Sequence, residues 1–144
     1  MQQETLEKVY IDRILLGMGH NGYYSTKKLG AFASDLGAVA CFFETPWTCI
    51  SPTLTAVTQA WLMNEAATRL RALGRLNEAL DPTRAGLKMV IKQEIWVNAA
   101  INVGNLSELE LTLGDVAGAV IDAELSVSYA DHSGDAVQRM RLAV

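Results

Sequence analysis

The sequence predicts an all-α chain of about six to seven helices, arranged as antiparallel helical hairpins stacked into an α-solenoid. Three observations carry this. A seven-residue phrase occurs twice, as Gly74-Arg75-Leu76-Asn77-Glu78-Ala79-Leu80 and, 40 positions later, as Gly114-Asp115-Val116-Ala117-Gly118-Ala119-Val120. Both copies have the form Gly-x-(Leu/Val)-x-x-Ala-(Leu/Val) and follow a leucine, and a fixed period of this size marks stacked helical units. Apolar residues recur at helical spacing through most of the chain, and no stretch alternates with period two for long enough to predict a strand.

The elements follow in order. Residues 3–16 put Leu6, Val9, Tyr10 and Ile14 on one helical face, and a glycine-rich break runs from Gly17 to Gly22. Residues 25–44 carry the cleanest stripe, from Leu29, Phe32 and Ala33 through Leu36 and Val39 to Ala40 and Phe43. Residues 1–44 are thus expected to be an N-terminal helix pair. Pro46 and Pro52, with Ser51 and Thr53, predict a loop over 45–54. Thr55 suits the N-cap of a helix running to Leu73, and Gly74 stands where a left-handed residue ends a helix without a Cβ clash. So short a turn sends the next helix, 76–92, back antiparallel, and Pro82 inside it predicts a kink through its missing donor. Hairpin 55–92 is then repeated by hairpin 94–131, with helix 94–113, Gly114 and helix 115–131. A turn follows at 132–135, and residues 135–144 begin a further helix.

Bulk composition excludes several function classes. The 144 residues fit one domain, with 50% apolar and only 19% charged residues, below the roughly 25% usual for soluble domains. Twelve basic and 16 acidic residues give a net charge of −4, and no basic patch is visible, so no nucleic-acid partner is expected. No apolar run reaches the length of a membrane span, and the polar start Met1-Gln2-Gln3-Glu4 is unlike a signal peptide. Cys41 and Cys49 alone make no disulfide framework, so a reducing cytoplasmic setting is the expectation.

Motifs with chemical content are few. Gly17-Met18-Gly19-His20-Asn21-Gly22 is a literal G-x-G-x-x-G, but a helical stripe precedes it where the dinucleotide fingerprint needs a strand. Tyr23-Tyr24 also stands where a phosphate loop needs Lys and Ser or Thr, leaving an interhelix loop as the better reading. His20, His132, Cys41 and Cys49 show no ligand pair on one face, so no metal is expected. Neither histidine sits in a nucleophile–base setting, and carboxylate pairs such as Glu108/Glu110 occupy polar surroundings. The expectation is a protein without catalysis or cofactor.

Gly74, Leu76, Ala79 and Gly114, Val116, Ala119, with Leu87 and Val127 late in the second helices, resemble the tetratricopeptide repeat over about residues 59–131. There a turn glycine is followed by a bulky residue and then by a small alanine that admits close helix approach. The period of 40 exceeds the usual 34, and Ala66-Ala67 and Leu106-Ser107 replace the Leu-Gly pair of the first helices. The stretches Tyr23-Tyr24-Ser25-Thr26-Lys27-Lys28-Leu29-Gly30 and Asn105-Leu106-Ser107-Glu108-Leu109 are also similar to bacterial repeat arrays attached to large signalling ATPases.

This resemblance implies a concave groove lined by the first helix of each hairpin. On helix 94–113, Asn98, Asn102 and Asn105 share a face, and their amides suit the backbone of an extended peptide. On the preceding first helix Trp61, Asn64, Glu65, Thr68 and Arg71 share another; Trp61 offers an aromatic anchor and Arg71 a charge for a carboxylate. The bland alternative makes Trp61 core and ties the asparagines to neighbouring helices. The functional expectation is a protein or peptide partner in this groove. Rival readings are a self-associating oligomerisation module and a helical bundle holding an apolar ligand. Val137, Met140 and Val144 begin a helix without a polar cap, which predicts self-association through the C-terminal end.

Overall fold

The computed structural model describes residues 2–16 and 23–134. Gly17 to Gly22, including the G-x-G-x-x-G phrase, and the expected helix start at 135–144 lie outside them. The described chain is mostly helical. Four long helices make its body: α4 (Ala56–Ala72), α5 (Leu76–Lys92), α6 (Trp96–Leu113) and α7 (Val116–Ser133). Before them come α1 (Gln2–Thr5), a π-helix π1 (Leu6–Leu15), α2 (Tyr24–Lys27), α3 (Phe32–Ala40) and a ribbon of β1 (Phe43–Thr45) with β2 (Cys49–Ile50). Each long helix packs on its sequence neighbours, α4 on α3 and α5, α6 on α5 and α7.

Thr55 caps α4 as expected, its Oγ1 accepting the Thr58 N–H at 3.2 Å. At the end of α4, Gly74 N–H bonds the Arg71 carbonyl and Arg75 N–H bonds the Leu70 carbonyl, the paired closure of a Schellman motif. The same two bonds recur at Gly114/Asp115 and at Glu94/Ile95. Gly74, Glu94, Gly114 and Gly134 take φ of +73°, +56°, +91° and +69°. These positions are 20 apart, so the structural unit is a single helix plus its turn, half the period visible in the repeated phrase. The fifth residue after each of the first three turns is Ala79, Ala99 or Ala119, exposed by 0%, 0% and 3%. A small side chain there sets the close approach of each helix to its neighbour.

The N-terminal third departs from expectation. The predicted helix 25–44 is interrupted between Lys27 and Phe32, where Gly30 takes φ +62° and Leu29 points into solvent. Its far end is extended instead. Phe43 pairs with Ile50 and Thr45 with Cys49 in an antiparallel ribbon, around a turn where Trp47 adopts φ +65°. The stripe of residues 3–16 shifts as well. A π-helix bonds i to i+5, as Leu16 N–H does to the Ile11 carbonyl at 2.8 Å, so the wider turn buries Leu6, Tyr10 and Leu15. Val9 and Ile14, expected on the buried face, are exposed. Helix α5 is continuous from Leu76 to Lys92 with Pro82 inside it.

One core cluster joins Leu6 and Tyr10 of π1 to Val39 of α3, Ile50 of the ribbon and Leu62 and Met63 of α4. A second joins Ala60 of α4, Leu87 and Val90 of α5, and Ala99, Val103 and Leu106 of α6. The N-terminal segment thus seals one flank of α4, while α5 and α6 seal the other.

Glu94 tests the turn geometry. A side chain with φ > 0 costs about 1 kcal/mol, and Gly74 and Gly114 have open space where a Cβ would stand. Glu94→Gly should raise the unfolding free energy by about 0.5–1 kcal/mol, and Gly74→Ala and Gly114→Ala should lower it by about 1 kcal/mol. Urea denaturation checks both signs; a destabilised Glu94→Gly protein would contradict the strain.

Candidate functional site

The candidate site lies along one side of α4 and α6. Trp61 and Asn64 of α4 and Asn98, Ile101 and Asn102 of α6 line a cavity of about 280 Å³. Gln93, at the end of α5, and Tyr23, before α2, complete it. Helical spacing explains the convergence: positions 61 and 64 on α4 and 98, 101 and 102 on α6 each share one face. Asn102 is buried, Trp61 and Asn64 are half-buried, and Asn98 is exposed at the rim.

Four of the seven predicted residues therefore meet in one cavity. Thr68 and Asn105 lie a helical turn further along and do not line it. Arg71 is already engaged, its Nη2 donating to the Glu108 carboxylate at 2.8 Å and tying α4 to α6. Trp61 is shared between the groove and the core edge, its ring centroid 6.3 Å from that of Tyr10. Gln93 carries a signal that the repeated phrase does not show. Its Nε2 donates to the Ala56 carbonyl at 3.1 Å, whereas its Oε1 is buried and accepts no hydrogen bond among the described residues. Only the 20-residue spacing of the turns marks the position just before Glu94 as part of this surface.

Beneath the groove lies a buried charge network absent from the sequence expectations. Arg69 and Asp35 are 2% and 1% exposed. Arg69 Nη2 donates to Asp35 Oδ2 at 3.1 Å, and its Nη1 contacts the Glu65 carboxylate and donates to the Glu65 carbonyl at 3.2 Å. Ser25 Oγ donates to Asp35 Oδ2 at 2.8 Å, and the Tyr23 hydroxyl donates to Glu65 Oε1 at 3.3 Å. Burial pushes the Glu65 carboxyl above its ordinary range, with the Arg69 charge opposing. Burial likewise raises the phenols of Tyr10 and Tyr23, the latter further because Glu65 stands beside it.

A second, more apolar cavity of about 370 Å³ adjoins the first across Tyr23, Val57 and Trp61. Leu6, Ile11 and Leu15 of π1 and Leu16 form its wall. Among the described residues, no group of three or more His, Cys, Asp or Glu side chains is placed to hold a metal ion. No described helix is long and apolar enough to cross a membrane. No protein-family model matches the chain, and neither a curated protein nor a solved structure matches it.

The raised carboxyl of Glu65 has a definite sign in stability. The folded state holds this proton more tightly than the unfolded chain, so the Glu65 contribution is present at low pH and is lost as pH rises above the ordinary value of 4.5. The stability advantage of wild type over Glu65→Gln should therefore be largest below that value and shrink toward neutrality. Urea titrations at a series of pH values measure it, and a pH-independent difference would contradict the assignment.

Proposed function

We propose that α4–α7 form two hairpins of a tetratricopeptide-like α-solenoid, and that the protein is a non-catalytic interaction scaffold. It holds an extended peptide or protein segment in the groove between α4 and α6. The observation that carries this reading is the convergence of Asn64, Asn98 and Asn102 on one cavity beside Trp61, with the buried Gln93 Oε1 lacking a donor among the described residues. Side-chain amides both donate and accept, so a row of them matches the alternating N–H and C=O groups of an extended chain. A volume of about 280 Å³ falls just below the roughly 300–1,000 Å³ of small-molecule sites, and suits one or two side chains of a longer ligand. A buried acceptor without a partner also costs free energy that a ligand N–H recovers.

Peptides selected on the wild-type protein from a random display library should bind Asn98→Ala/Asn102→Ala about tenfold more weakly, two lost hydrogen bonds being the cause. Trp61→Ala should cost at least as much, since aromatic anchors concentrate binding energy. Circular-dichroism melts run alongside confirm that each variant folds. Equal retention by wild type and both variants would remove the groove from consideration.

A second reading rests on the adjoining apolar cavity lined by Leu6, Ile11 and Leu15, which suits a small apolar ligand. Anilinonaphthalene sulfonate distinguishes the two. The scaffold reading expects little fluorescence enhancement on the folded protein. A saturable rise of one site per chain, lost in Leu15→Asp while peptide binding persists, would favour the small ligand.

A further inference from the structure

We propose that the α6–α7 end of the array is a second docking surface, and that it takes a basic amphipathic helix of a partner protein. The repeat itself supplies the first argument. Positions 40 apart occupy equivalent places in the two hairpins, and Arg71, Asn77 and Asp81 of the first correspond to Leu111, Ala117 and Ile121 of the second. All three of the latter are exposed, Leu111 by 58% and Ile121 by 64%. Leu76 and Leu80 are half-buried against the Leu36, Leu70 and Leu109 cluster, but their counterparts Val116 and Val120 are 57% and 54% exposed. Positions that are polar in the earlier hairpin are thus apolar and exposed in this one, and an exposed apolar patch of this kind marks an interaction surface.

Charge selects the occupant. Helices α6 and α7 contain Glu108, Glu110, Asp122, Glu124 and Asp131, the turn between them adds Asp115, and none of these segments holds a lysine or arginine. Arg71 and Arg84 reach across from the preceding hairpin to Glu108 and Glu110, at 2.8 and 2.9 Å, and the end remains acidic. Along α7, Ala117, Val120 and Ile121 are followed by Glu124 on the same exposed face. A helix with leucines on one side and lysines or arginines beside them complements both parts of that face. A second copy meeting it through its own α7 would instead oppose carboxylate to carboxylate, a costly juxtaposition.

The test uses the full chain and two synthetic helical peptides of identical leucine pattern, one with lysines and one with glutamates on the polar face. Fluorescence anisotropy should show binding of the lysine peptide alone, weakening as salt rises from about 0.05 to about 0.5 M. Val120→Asp and Ile121→Asp should each weaken it about tenfold, since each removes one buried aliphatic contact. Asn98→Ala/Asn102→Ala should leave it unchanged, which separates this surface from the groove. Equal binding of both peptides, or no effect of Val120→Asp, would overturn the proposal. A dimer in sedimentation that Val120→Asp abolishes would assign the face to a second copy. Arg139 and Arg141 are the only lysine or arginine residues after Lys92, and peptide binding seen only in Arg139→Glu/Arg141→Glu would assign the face to the chain's own segment and overturn the proposal.

Discussion

One buried cation organises the molecule. Arg69 sits almost wholly out of water on α4, between Asp35 of α3 and Glu65 one turn away on its own helix. An ion in such a place is tolerated only with its partners present, and deleting one partner of a buried pair typically costs about 3–5 kcal/mol. The partners come from separate parts of the chain, because Asp35 in turn accepts from Ser25 of α2 and Glu65 from Tyr23. The network therefore fixes where the short N-terminal elements lie against the array. It also fixes the groove, since Glu65 and Tyr23 are themselves part of its lining. Two carboxylates share the single guanidinium, and burial of that excess charge raises the Glu65 carboxyl.

The groove is a consequence of period as well as of chemistry. Each turn closes with the same pair of backbone bonds, and each following helix brings an alanine to the same contact. Reversal at every turn returns the chain to the same side every second helix. Residues of α4 and α6 therefore share a surface although about 40 positions separate them. Helix α5 lies between them in sequence, yet it contributes only Val90 and the capping Gln93, near its end beside the turn. The Arg71–Glu108 pair then ties α4 to α6 further along. A charge expected to meet a ligand instead pairs with Glu108 across the two helices, which leaves the amides as the polar groups of the proposed recognition.

Periodicity made the long helices legible, with boundaries within two residues of those observed, because Gly74, Gly114 and Thr55 announce the ends by a mechanism local to each. The break between helices 76–92 and 94–113 was legible, but Glu94 hid its equivalence to the glycine turns. It takes the same left-handed geometry as the glycines without the residue type that signals it, so the 20-residue unit looked like 40. The N-terminal third was less legible for a different reason. Asp35 sits next to Leu36 in an apolar stripe, where a carboxylate looks like its solvent flank, and Glu65 and Arg69 are spaced like a surface pair. Their burial depends on a meeting of α3 with α4 that no local pattern encodes. The shift from a 3.6-residue to a π register, which moved the buried face from Val9 and Ile14 to Leu15, is equally invisible to a moment calculated for an α-helix.

The two candidate surfaces rest on different physics, and the chain keeps them apart. In the groove, polar groups are mostly neutral amides, and the buried Arg69 is compensated beneath the floor. The proposed recognition there would depend on hydrogen-bond geometry and on an aromatic wall, neither of which salt screens strongly. At the α6–α7 end, carboxylates outnumber the arginines that reach them, and the aliphatic residues stand in solvent. Long-range attraction there governs encounter while apolar contact governs residence. On the proposed reading, such a scaffold would hold one partner by shape and backbone while gathering another by charge. The division follows from where lysine and arginine fall: both arginines that reach the end helices belong to the hairpin before them, and α6 and α7 contain none.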